Sequence, residues 1–393
     1  MLGCQGGRTA GRQVFNPQGS ASRQHDIVEW KASMMTRYGT KNMRRIPISV
    51  LQDLLERMFL AAGCSPHNAK IMAEGAIEAD LRGHAIQGTD HIFSTLRDVQ
   101  KGILKGKAEP VIVRQTAATA LVDGHGAPGH VGGRFATDLA IRKAREAGTV
   151  SIGLLDSGDI FMLGYYASVI AEAGLVGFVF TSSWPPRVHP YGGIDRVLGT
   201  NPLAIGVPTS GGDPVVLDLA TSASPIGHVR ISSYYGDPIP QGVAIDRVGN
   251  PTTDAREALE GALSPLGGHK GYGLGLCVGL LSGPLVGGVL GEALERAAGT
   301  GEEAAGARGH LFMAIDPAAF GDPEKALAGV NSYLDEIRAS RKAPNIDKIL
   351  IPGERGFDDR RRNLKEGVPI LDEVWNRTAE LAAGLGVEMP NID

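Results

Sequence analysis

The chain has little cysteine, few aromatic residues and no long hydrophobic run, and each shortage excludes a class of protein. Its three cysteines are scattered among 393 residues, so neither a disulfide framework nor a CxxC metal site is expected, and we predict reduced thiols in a cytoplasmic protein. No window of about twenty uninterrupted apolar residues occurs, so no membrane span is predicted. Residues 1–45 show little periodicity and lack the apolar core of a signal peptide, which predicts a flexible N-terminal extension.

Charge of one sign is not in excess either. Lysine and arginine total 39 against 43 acidic residues, a formal net charge of −4, which disfavours nucleic acid or an anionic membrane as the main partner. Hydrophobic residues make up 42% of the chain although aromatics make up only 5%. We therefore expect a buried core, a division into two structural units and a small molecule as the ligand.

A periodic segment at residues 48–77 predicts helix, because leucines and other apolar residues recur there at helical spacing. A polar patch follows within the stretch ADLRGHAIQGTDHIFSTL, residues 79–96. If the helix continues, His84, Gln87 and His91 fall at i, i+3 and i+7 and project from one face. We expect the reacting end of a substrate at this stretch. A solvated helix end with ordinary surface histidines is the alternative interpretation.

Beyond residue 108, short β-branched runs alternate with amphipathic segments, which predicts an α/β unit. The string GHGAPG at residues 124–129 matches GxGxxG between a predicted strand and a predicted helix, which is the context of a dinucleotide-binding loop. Two features disfavour that interpretation. Pro128 stiffens the loop, and Asp156 comes late for a carboxylate that binds a ribose.

Two later segments are candidate ligand sites. Residues 182–208 are dense in proline and glycine, a composition typical of rigid backbone that lines a site or of a long structured loop. In GGHKGYGLGL, residues 267–276, His269 and Lys270 stand at the predicted start of an apolar helix, where free amides and cationic side chains can bind a phosphate. The Gly, Ala and Glu composition of residues 292–308 predicts a mobile surface excursion.

Five strings in the second half of the chain occur in an order typical of one enzyme family. They are GTNPLAIGVPT, VLDLATS, LGGHKGYGLGL, HLFMAIDPAAF and IPGERGF. By these strings the chain resembles the malate/L-lactate dehydrogenase family that has no Rossmann domain, which includes ureidoglycolate and sulfolactate dehydrogenases, diketogulonate reductase and cyclic imino acid reductases. The similarity runs from Ile46 to the C-terminus.

The resemblance implies an α/β fold like that of L-sulfolactate dehydrogenase, with a mixed-sheet, non-Rossmann domain that binds NAD or NADP. Residues 116–329 are expected to form this cofactor-binding domain. Residues 46–115 and 330–393 are expected to form a discontinuous helical domain that mediates homodimerisation. The resemblance also implies that the GxGxxG match is accidental.

The positions that touch the reacting carbon in the family are changed here. Where its RGxxSHG motif has a serine and a proton-donating histidine, this chain has Ile86 and Gln87. Four residues on, where the family often has an arginine that binds the substrate carboxylate, this chain has His91. The family turn NSNHFG reads DSGDIF, so that its histidine becomes Asp159, and His228 stands where lysine or another polar residue is usual.

The positions that the resemblance assigns to cofactor and scaffold are retained. Thr200 aligns with a substrate-contacting threonine. The expected cofactor contacts are Asp218, Leu219, Ala220, Thr221, His269, Lys270, Pro352, Gly353 and Glu354. No metal is expected.

Reducing a carbonyl by hydride transfer leaves an alkoxide that needs a proton, and a positioned general acid contributes about 100- to 10,000-fold. Glutamine donates a hydrogen bond but cannot give up a proton, so Gln87 would orient or polarise the carbonyl while a neighbour transfers the proton. The candidates for that neighbour are His91, His84, His189 and His228, with Asp159 to orient an imidazole. His91 is preferred because it shares the predicted helical face with Gln87, and His84 and His91 are also candidate substrate contacts.

Three functions remain open. The first is an NAD(P)H-dependent oxidoreductase that acts on a C=O or CH–OH group of a substrate other than the usual 2-oxo acid, because the proton donor and the carboxylate-binding arginine have both changed. The second is a reductase of a C=N bond, such as that of a cyclic imine, whose cationic substrate brings its own proton. The third is a dinucleotide-binding protein with lost or altered catalysis. We predict the first.

Overall fold

The computed structural model describes residue 30 and residues 43–299, 307–344 and 346–392. The predicted N-terminal extension therefore lies outside the described residues, except for Trp30 and residues 43–45. These last three residues form strand together with Ile46. Among the helices of the described ranges, none is long and apolar enough to cross a membrane.

Helices and strands alternate along the described chain. The helices are α1 Ile48–Ala62, α2 Pro66–Leu81, α3 Ile92–Gln100, α4 Gly129–Ala147, α5 Leu163–Glu172, α6 Ile226–Tyr235, α7 Ala255–Glu260, α8 His269–Ser282, α9 Glu292–Gly299, α10 Pro323–Ala339, α11 Glu354–Glu366 and α12 Asp372–Gly384. The strands are β1 Met43–Ile46, β2 Val111–Gln115, β3 Thr119–Ala127, β4 Thr149–Ser157, β5 Val176–Thr181, β6 Leu203–Val207, β7 Val215–Leu219, β8 Ala244–Ile245, β9 Pro251–Thr252, β10 Ala262–Leu263, β11 His310–Ile315 and β12 Val368–Leu371.

One core is built from helices near both ends of the chain. The predicted periodic face of α1 is buried and consists of Leu51, Leu54, Leu55, Met58 and Phe59. Gly63, with a left-handed φ of 111°, ends α1, and the Ser65 side chain caps α2. Strand β1 pairs antiparallel with β12. The same core also takes in Phe161 from the middle of the chain.

A mixed seven-stranded sheet in the order β2-β3-β4-β11-β5-β6-β7 forms the centre of the chain. Within it β3 and β4 are parallel and are joined through α4, whereas the other neighbouring strands are antiparallel. The strand β5, VGFVFT, buries every second residue, as expected for a strand with one face on a core. Strand β2 belongs to this sheet, as the β-branched runs beyond residue 108 predicted, although residues 111–115 fall within the range 46–115 that was expected to form the helical domain.

The polar patch after α2 does not continue that helix. Gly83 adopts a left-handed φ of 78°, and two separate 3-10 turns, Ala85–Gln87 and Thr89–His91, follow on either side of Gly88. The expectation that His84, Gln87 and His91 share one helical face is therefore wrong. We call residues 82–91 the double turn.

Candidate active site

The double turn is fixed by Asp80, a buried carboxylate near the end of α2. Its Oδ2 accepts hydrogen bonds from the Thr89 backbone N–H at 2.9 Å and from the Thr89 hydroxyl at 2.6 Å. Its Oδ1 fills the space beside Gly88, where any side chain would collide with it. Burial raises the pKa of Asp80 to about 7, against the lowering effect of the Thr89 hydrogen bonds. Gln87 and His91 stand on either side of this clamp.

His91 packs edge-on against Phe161, with ring centroids 4.6 Å apart. Phe161 has a left-handed φ of 59°, a strained conformation for this residue type that is common at functional sites. The His130 ring also packs against Phe161, with ring centroids 4.7 Å apart. The His130 Nδ1 lies 2.8 Å from the Tyr166 hydroxyl. Burial lowers the pKa of His130 to about 3, so this imidazole is neutral near pH 7.

Asp159 and Arg308 add two opposite charges to this group. Arg308 Nη1 lies 3.7 Å from Asp159 Oδ2, and Asp159 Oδ1 accepts a hydrogen bond from the Phe161 backbone N–H at 3.0 Å. Desolvation raises the pKa of Asp159, but Arg308, His91 and the Phe161 N–H lower it more. The result is a pKa below the usual value and an ionised carboxylate. We call Phe161, His91, His130, Asp159 and Arg308 the Phe161 cluster.

Three residues at or beside this cluster were not among the predicted site residues: His130, Arg308 and His310. His310 is the first residue of β11, within the string HLFMAIDPAAF, and its Nδ1 lies 2.6 Å from the Thr181 hydroxyl. Burial, and then the charge of Arg308, lowers its pKa to about 3. His130 and His310 could have been noticed as polar residues that open buried elements. Arg308 carried no such signal, because residues 292–308 were expected to form a mobile surface excursion. Residues 292–299 instead form α9, and the Arg308 side chain is only 16% exposed. Residues 300–306 of that expected excursion lie outside the described residues.

His84 lies on another side of the double turn. Burial lowers its pKa to about 4, and the nearby charges of Arg355 and Arg82 lower it further. Arg82 is itself held by Glu78 at 2.6 Å and lies over the Phe357 ring at 4.7 Å. The structure therefore associates His84 with these arginines near α11.

His228 lies in the first turn of α6, which borders the double turn. Its neighbour Gly227 faces Ile86, whose Cδ1 would be 3.4 Å from a Cβ added at that glycine. The His228 ring is also edge-on to Trp30, with centroids 6.0 Å apart. Trp30 packs against the core formed by α6, α7 and the small β8–β10 sheet. His228 is thus on the Ile86 side of the site.

Thr200 and Thr221 are joined at the end of the sheet. The backbone N–H and the hydroxyl of Thr221 both donate to the Thr200 carbonyl, at 2.9 and 3.0 Å. Gly275 of α8 packs so closely on Thr221 that a side chain there would collide. Asn201, with an unusual φ of 31°, donates from its side chain to the Gly275 carbonyl at 2.9 Å. These contacts fix α8 against the retained threonines.

The amino end of α8 has the features of an anion site. Gly267 and Gly268 adopt left-handed φ values of 61° and 73°, and His269 and Lys270 are exposed in the first turn of this 14-residue helix. Free first-turn amides beside a lysine fit a dinucleotide phosphate.

His189 belongs to the α8 neighbourhood. Its Nε2 lies 3.4 Å from the Ser264 hydroxyl, and its Nδ1 lies 2.9 Å from the Pro190 carbonyl. Tyr191, two residues on, contacts the His269 ring with centroids 5.8 Å apart. The structure thus brings His189 and His269 into one region of loops.

The remaining predicted cofactor positions make structural contacts. Asp218 Oδ2 accepts a hydrogen bond from the Gly164 N–H at the start of α5, at 2.7 Å, and burial raises the pKa of this carboxyl to about 6. It is followed by Leu219 and Ala220 at the end of β7. Because its carboxylate already caps α5, Asp218 acts first as a support.

Residues 352–354 pack beside the other end of β7. The Pro352 carbonyl accepts a hydrogen bond from Val216 at 3.0 Å, and a side chain at Gly353 would crowd Val216. Glu354 accepts a hydrogen bond from the Ile351 N–H at 3.0 Å. Pro352 and Glu354 line a cavity of about 190 Å³ against the β6–β7 turn.

The GxGxxG match occupies a strand-to-helix junction that is closed. Pro128 alone separates β3 from α4, and Gly129 packs against the Asp159 carbonyl so tightly that no side chain fits. The amino end of α4 is therefore covered by residues 158–159. This geometry disfavours a dinucleotide loop at residues 124–129.

The chain thus combines a mixed sheet, a helical part made from both chain ends, a histidine-rich cluster around a strained Phe161, and a helix start with the features of an anion site. Together these features define an enzyme-like α/β protein without a Rossmann sheet. The profile of one family, malate/L-lactate dehydrogenase, matches residues 46–378. Malate dehydrogenase of Pyrococcus horikoshii is 36% identical over 359 residues, which cover 89% of this chain and 98% of that protein.

Two further relatives extend the comparison. The Δ1-pyrroline-2-carboxylate/Δ1-piperideine-2-carboxylate reductase of Pseudomonas syringae is 34% identical over 333 residues, 84% of this chain and 94% of that protein. The solved structure of sulfolactate dehydrogenase from Methanocaldococcus jannaschii superposes with a TM-score of 0.81 at 30% identity, covering 88% of this chain and 98% of that one. The chain belongs to the malate/L-lactate dehydrogenase family and is an oxidoreductase. The predicted family and fold class are confirmed.

Proposed function

We propose that the protein is an NAD(P)H-dependent oxidoreductase that transfers a hydride to or from a C=O or CH–OH group of a substrate other than the usual 2-oxo acid. The observation that carries this proposal is the double turn. The hydrogen bonds to Asp80 fix the backbone around Gln87, which cannot give up a proton. His91 follows four residues later, contacts Phe161 and is one of the groups that lower the pKa of Asp159. This combination of groups differs from the motif that the family resemblance leads one to expect.

The cofactor, NAD or NADP, supplies or accepts the hydride when it is bound. Its phosphates fit the amino end of α8, with His269 and Lys270 beside the free amides. Thr221, two residues after the end of β7, and residues 352–354 are the other proposed contacts. Asp218 accepts a hydrogen bond from the Gly164 N–H and Glu354 one from the Ile351 N–H, so both carboxylates also support the backbone around these contacts.

We assign the proton transfer to His91. Gln87 donates a hydrogen bond to the substrate oxygen, and the ionised carboxylate of Asp159 interacts electrostatically with His91. The other buried histidines of the region, His84, His130 and His310, are neutral at pH 7 because burial lowers their pKa values. They are therefore poor proton donors in the resting enzyme. Thr200, His189 and His228 are proposed to line the substrate pocket.

A second candidate function, reduction of a C=N bond, is favoured by Asp159. A carboxylate at this position stabilises a cationic iminium better than a neutral carbonyl, and an iminium already carries the proton that Gln87 lacks. One relative is named for the reduction of two cyclic imino acids. The carbonyl reaction remains the first choice because His91 provides an acid.

We also propose that the protein is a homodimer that buries one face of α8. Leu274, Leu276, Leu280, Leu281 and the following Leu285 are all exposed. A row of exposed leucines on one helix and its extension is typical of an interaction surface. A second copy of the chain would cover it.

A turnover panel tests the proposed reaction. Purified protein is mixed with NADH or NADPH and with 2-oxo acids, bulkier ketones or cyclic imines, and the absorbance of the reduced cofactor is followed. The proposal predicts faster turnover of a bulkier ketone than of pyruvate or oxaloacetate. Faster turnover of cyclic imines than of every ketone would establish the second function. Cofactor binding with no turnover of any member would indicate a dinucleotide-binding protein with lost catalysis.

A further inference from the structure

The family resemblance expects an arginine for the substrate carboxylate at the position that His91 occupies. The structure brings a different arginine, Arg308, to the same cluster from the segment before β11. We propose that Arg308 binds the anionic group of the substrate, a carboxylate or another oxyanion, in place of that missing arginine. This inference rests on the proposed function, because it concerns the same pocket. It gives the substrate an anionic group and keeps it a ketone bulkier than pyruvate or oxaloacetate.

Arg308 is held in place by both of its chain neighbours. The Ala307 carbonyl accepts a hydrogen bond from the Val289 N–H at 2.9 Å, and the Gly309 carbonyl accepts one from the Ser182 N–H at 3.4 Å. Strand β11 begins at the next residue, His310. The backbone on either side of Arg308 is therefore tied to the rest of the domain, so the guanidinium has a fixed base from which to reach Asp159.

The position of the guanidinium suits an anion. Its side chain is 16% exposed while that of Asp159 is 48% exposed, so the positive charge lies deeper than the negative one. In such a partly desolvated place a bidentate pair between a guanidinium and an oxyanion is stronger than at the surface. An anion that enters past Asp159 meets the positive charge at the base of the cluster.

Asp159 does not use up the donors of Arg308. The 3.7 Å separation is an ion pair but is too long for a hydrogen bond. By contrast, Arg82, beside His84, donates to Glu78 at 2.6 Å and stacks on Phe357. Arg82 is thus a structural residue with a short hydrogen bond to its carboxylate. Arg308 forms only a long ion pair with Asp159 and lies next to the residues proposed for catalysis.

The test measures anion binding directly, with oxalate as the probe. Wild-type protein saturated with NADH is titrated with oxalate while cofactor fluorescence is followed, and a calorimetric titration without cofactor is run in parallel. We expect Arg308→Gln to weaken oxalate binding about 10- to 100-fold, the range for losing a charged hydrogen bond, while the NADH dissociation constant stays within about twofold. Arg308→Lys should fall between the two. Asp159→Asn should bind oxalate more tightly than wild type, because it removes a repelling charge.

The matched control is Arg142→Gln, since Arg142 is an exposed arginine on α4, and it should leave oxalate affinity unchanged. Thermal melts of each variant check that it is folded. Equal oxalate affinity in wild type and Arg308→Gln, or no oxalate binding to wild type in either titration, would overturn the inference. Failure of NADH to bind wild-type protein while oxalate binding still depends on Arg308 would instead overturn the proposed function and leave the anion site standing.

Discussion

Asp80 and Thr89 hold the double turn together, because one carboxylate oxygen of Asp80 receives both the backbone N–H and the hydroxyl of Thr89, at 2.9 and 2.6 Å. The other oxygen lies where a Gly88 side chain would be. The pair converts a glycine-interrupted stretch, which has no regular helix of its own, into a fixed support for Gln87 and His91. The proposed chemistry depends on this support.

Gly88→Ala should therefore weaken the fold at the site. The added methyl collides with the Asp80 carboxylate, and overpacking of this kind costs about 1–3 kcal/mol. Denaturant unfolding measures the loss. The matched control is Gly329→Ala, because Gly329 lies within α10 with open space around its Cβ position, and this change should stabilise by about 0.5–1 kcal/mol. Equal midpoints for wild type and Gly88→Ala would show that the clamp is not tight.

Acid should destabilise the protein through His130. Burial lowers its pKa from 6.5 in the unfolded chain to about 3 in the folded chain. Between these two pH values the unfolded chain binds a proton at His130 and the folded chain does not. The free energy of unfolding is therefore unaffected by His130 above the unfolded pKa of 6.5, and it decreases as the pH falls below that value. Between pH 7 and pH 5 this one residue should cost about 2 kcal/mol.

The comparison that isolates this effect is the variant His130→Gln. Its free energy of unfolding should fall less than that of the wild type between pH 7 and pH 5, whatever its stability at pH 7. The other buried titratable groups are present in both proteins and cancel in the difference. Parallel pH dependence in the two proteins would show that His130 is accessible to protons in the folded state.

His91→Asn should lower kcat by about 100- to 10,000-fold, because it removes the proposed proton donor. Affinity for the reduced cofactor should stay the same, since His91 contacts Phe161 and not α8. Stopped-flow measurement of the chemical step across pH checks both statements, and the pH dependence of the step should disappear in the variant. A kcat close to that of wild type would assign the proton transfer to another group.

Gln87→His should give the enzyme reductase activity toward pyruvate or oxaloacetate. The change restores a group that can give up a proton at the position where the family motif has one, and a gain of about 100-fold is the lower end for a general acid. The steady-state rate with each 2-oxo acid measures it. Loss of the native activity with no gain toward 2-oxo acids would mean that Gln87 serves a different mechanism.

Leu280→Glu should produce monomers. Leu280 is 47% exposed on the α8 face proposed as the dimer contact, and a buried, unpaired glutamate would oppose association. Light scattering after gel filtration gives the mass of each species. Val248→Glu is the control, because Val248 is 74% exposed between β8 and β9, and it should remain dimeric. If the wild-type protein is monomeric, the proposed homodimer through α8 is wrong.

Much of the fold followed from local patterns. The alternation of short β-branched runs with amphipathic segments beyond residue 108 predicted the α/β sheet, and the leucine spacing of α1 predicted its buried face. These elements were predictable because burial imposes a period on the residues within each one. The break at Gly83 was not foreseen, because a left-handed glycine and a tertiary clamp on Asp80 override helical spacing.

The candidate site was only partly accessible to the sequence. Gln87, His91 and Asp159 stood out because they depart from a motif. Arg308 is 149 residues from Asp159 in the chain and joins it through the order of strands, β4 beside β11. That proximity is a property of topology, and no local pattern around residue 308 encodes it.

A fluorescence titration of the purified protein with NADH and with NADPH tests most directly whether this protein uses a nicotinamide dinucleotide. We expect saturable binding of at least one of them, weakened by Lys270→Gln at the amino end of α8, where the phosphate is proposed to bind. No binding of either cofactor at any concentration would contradict the central claim that this chain works on a nicotinamide dinucleotide.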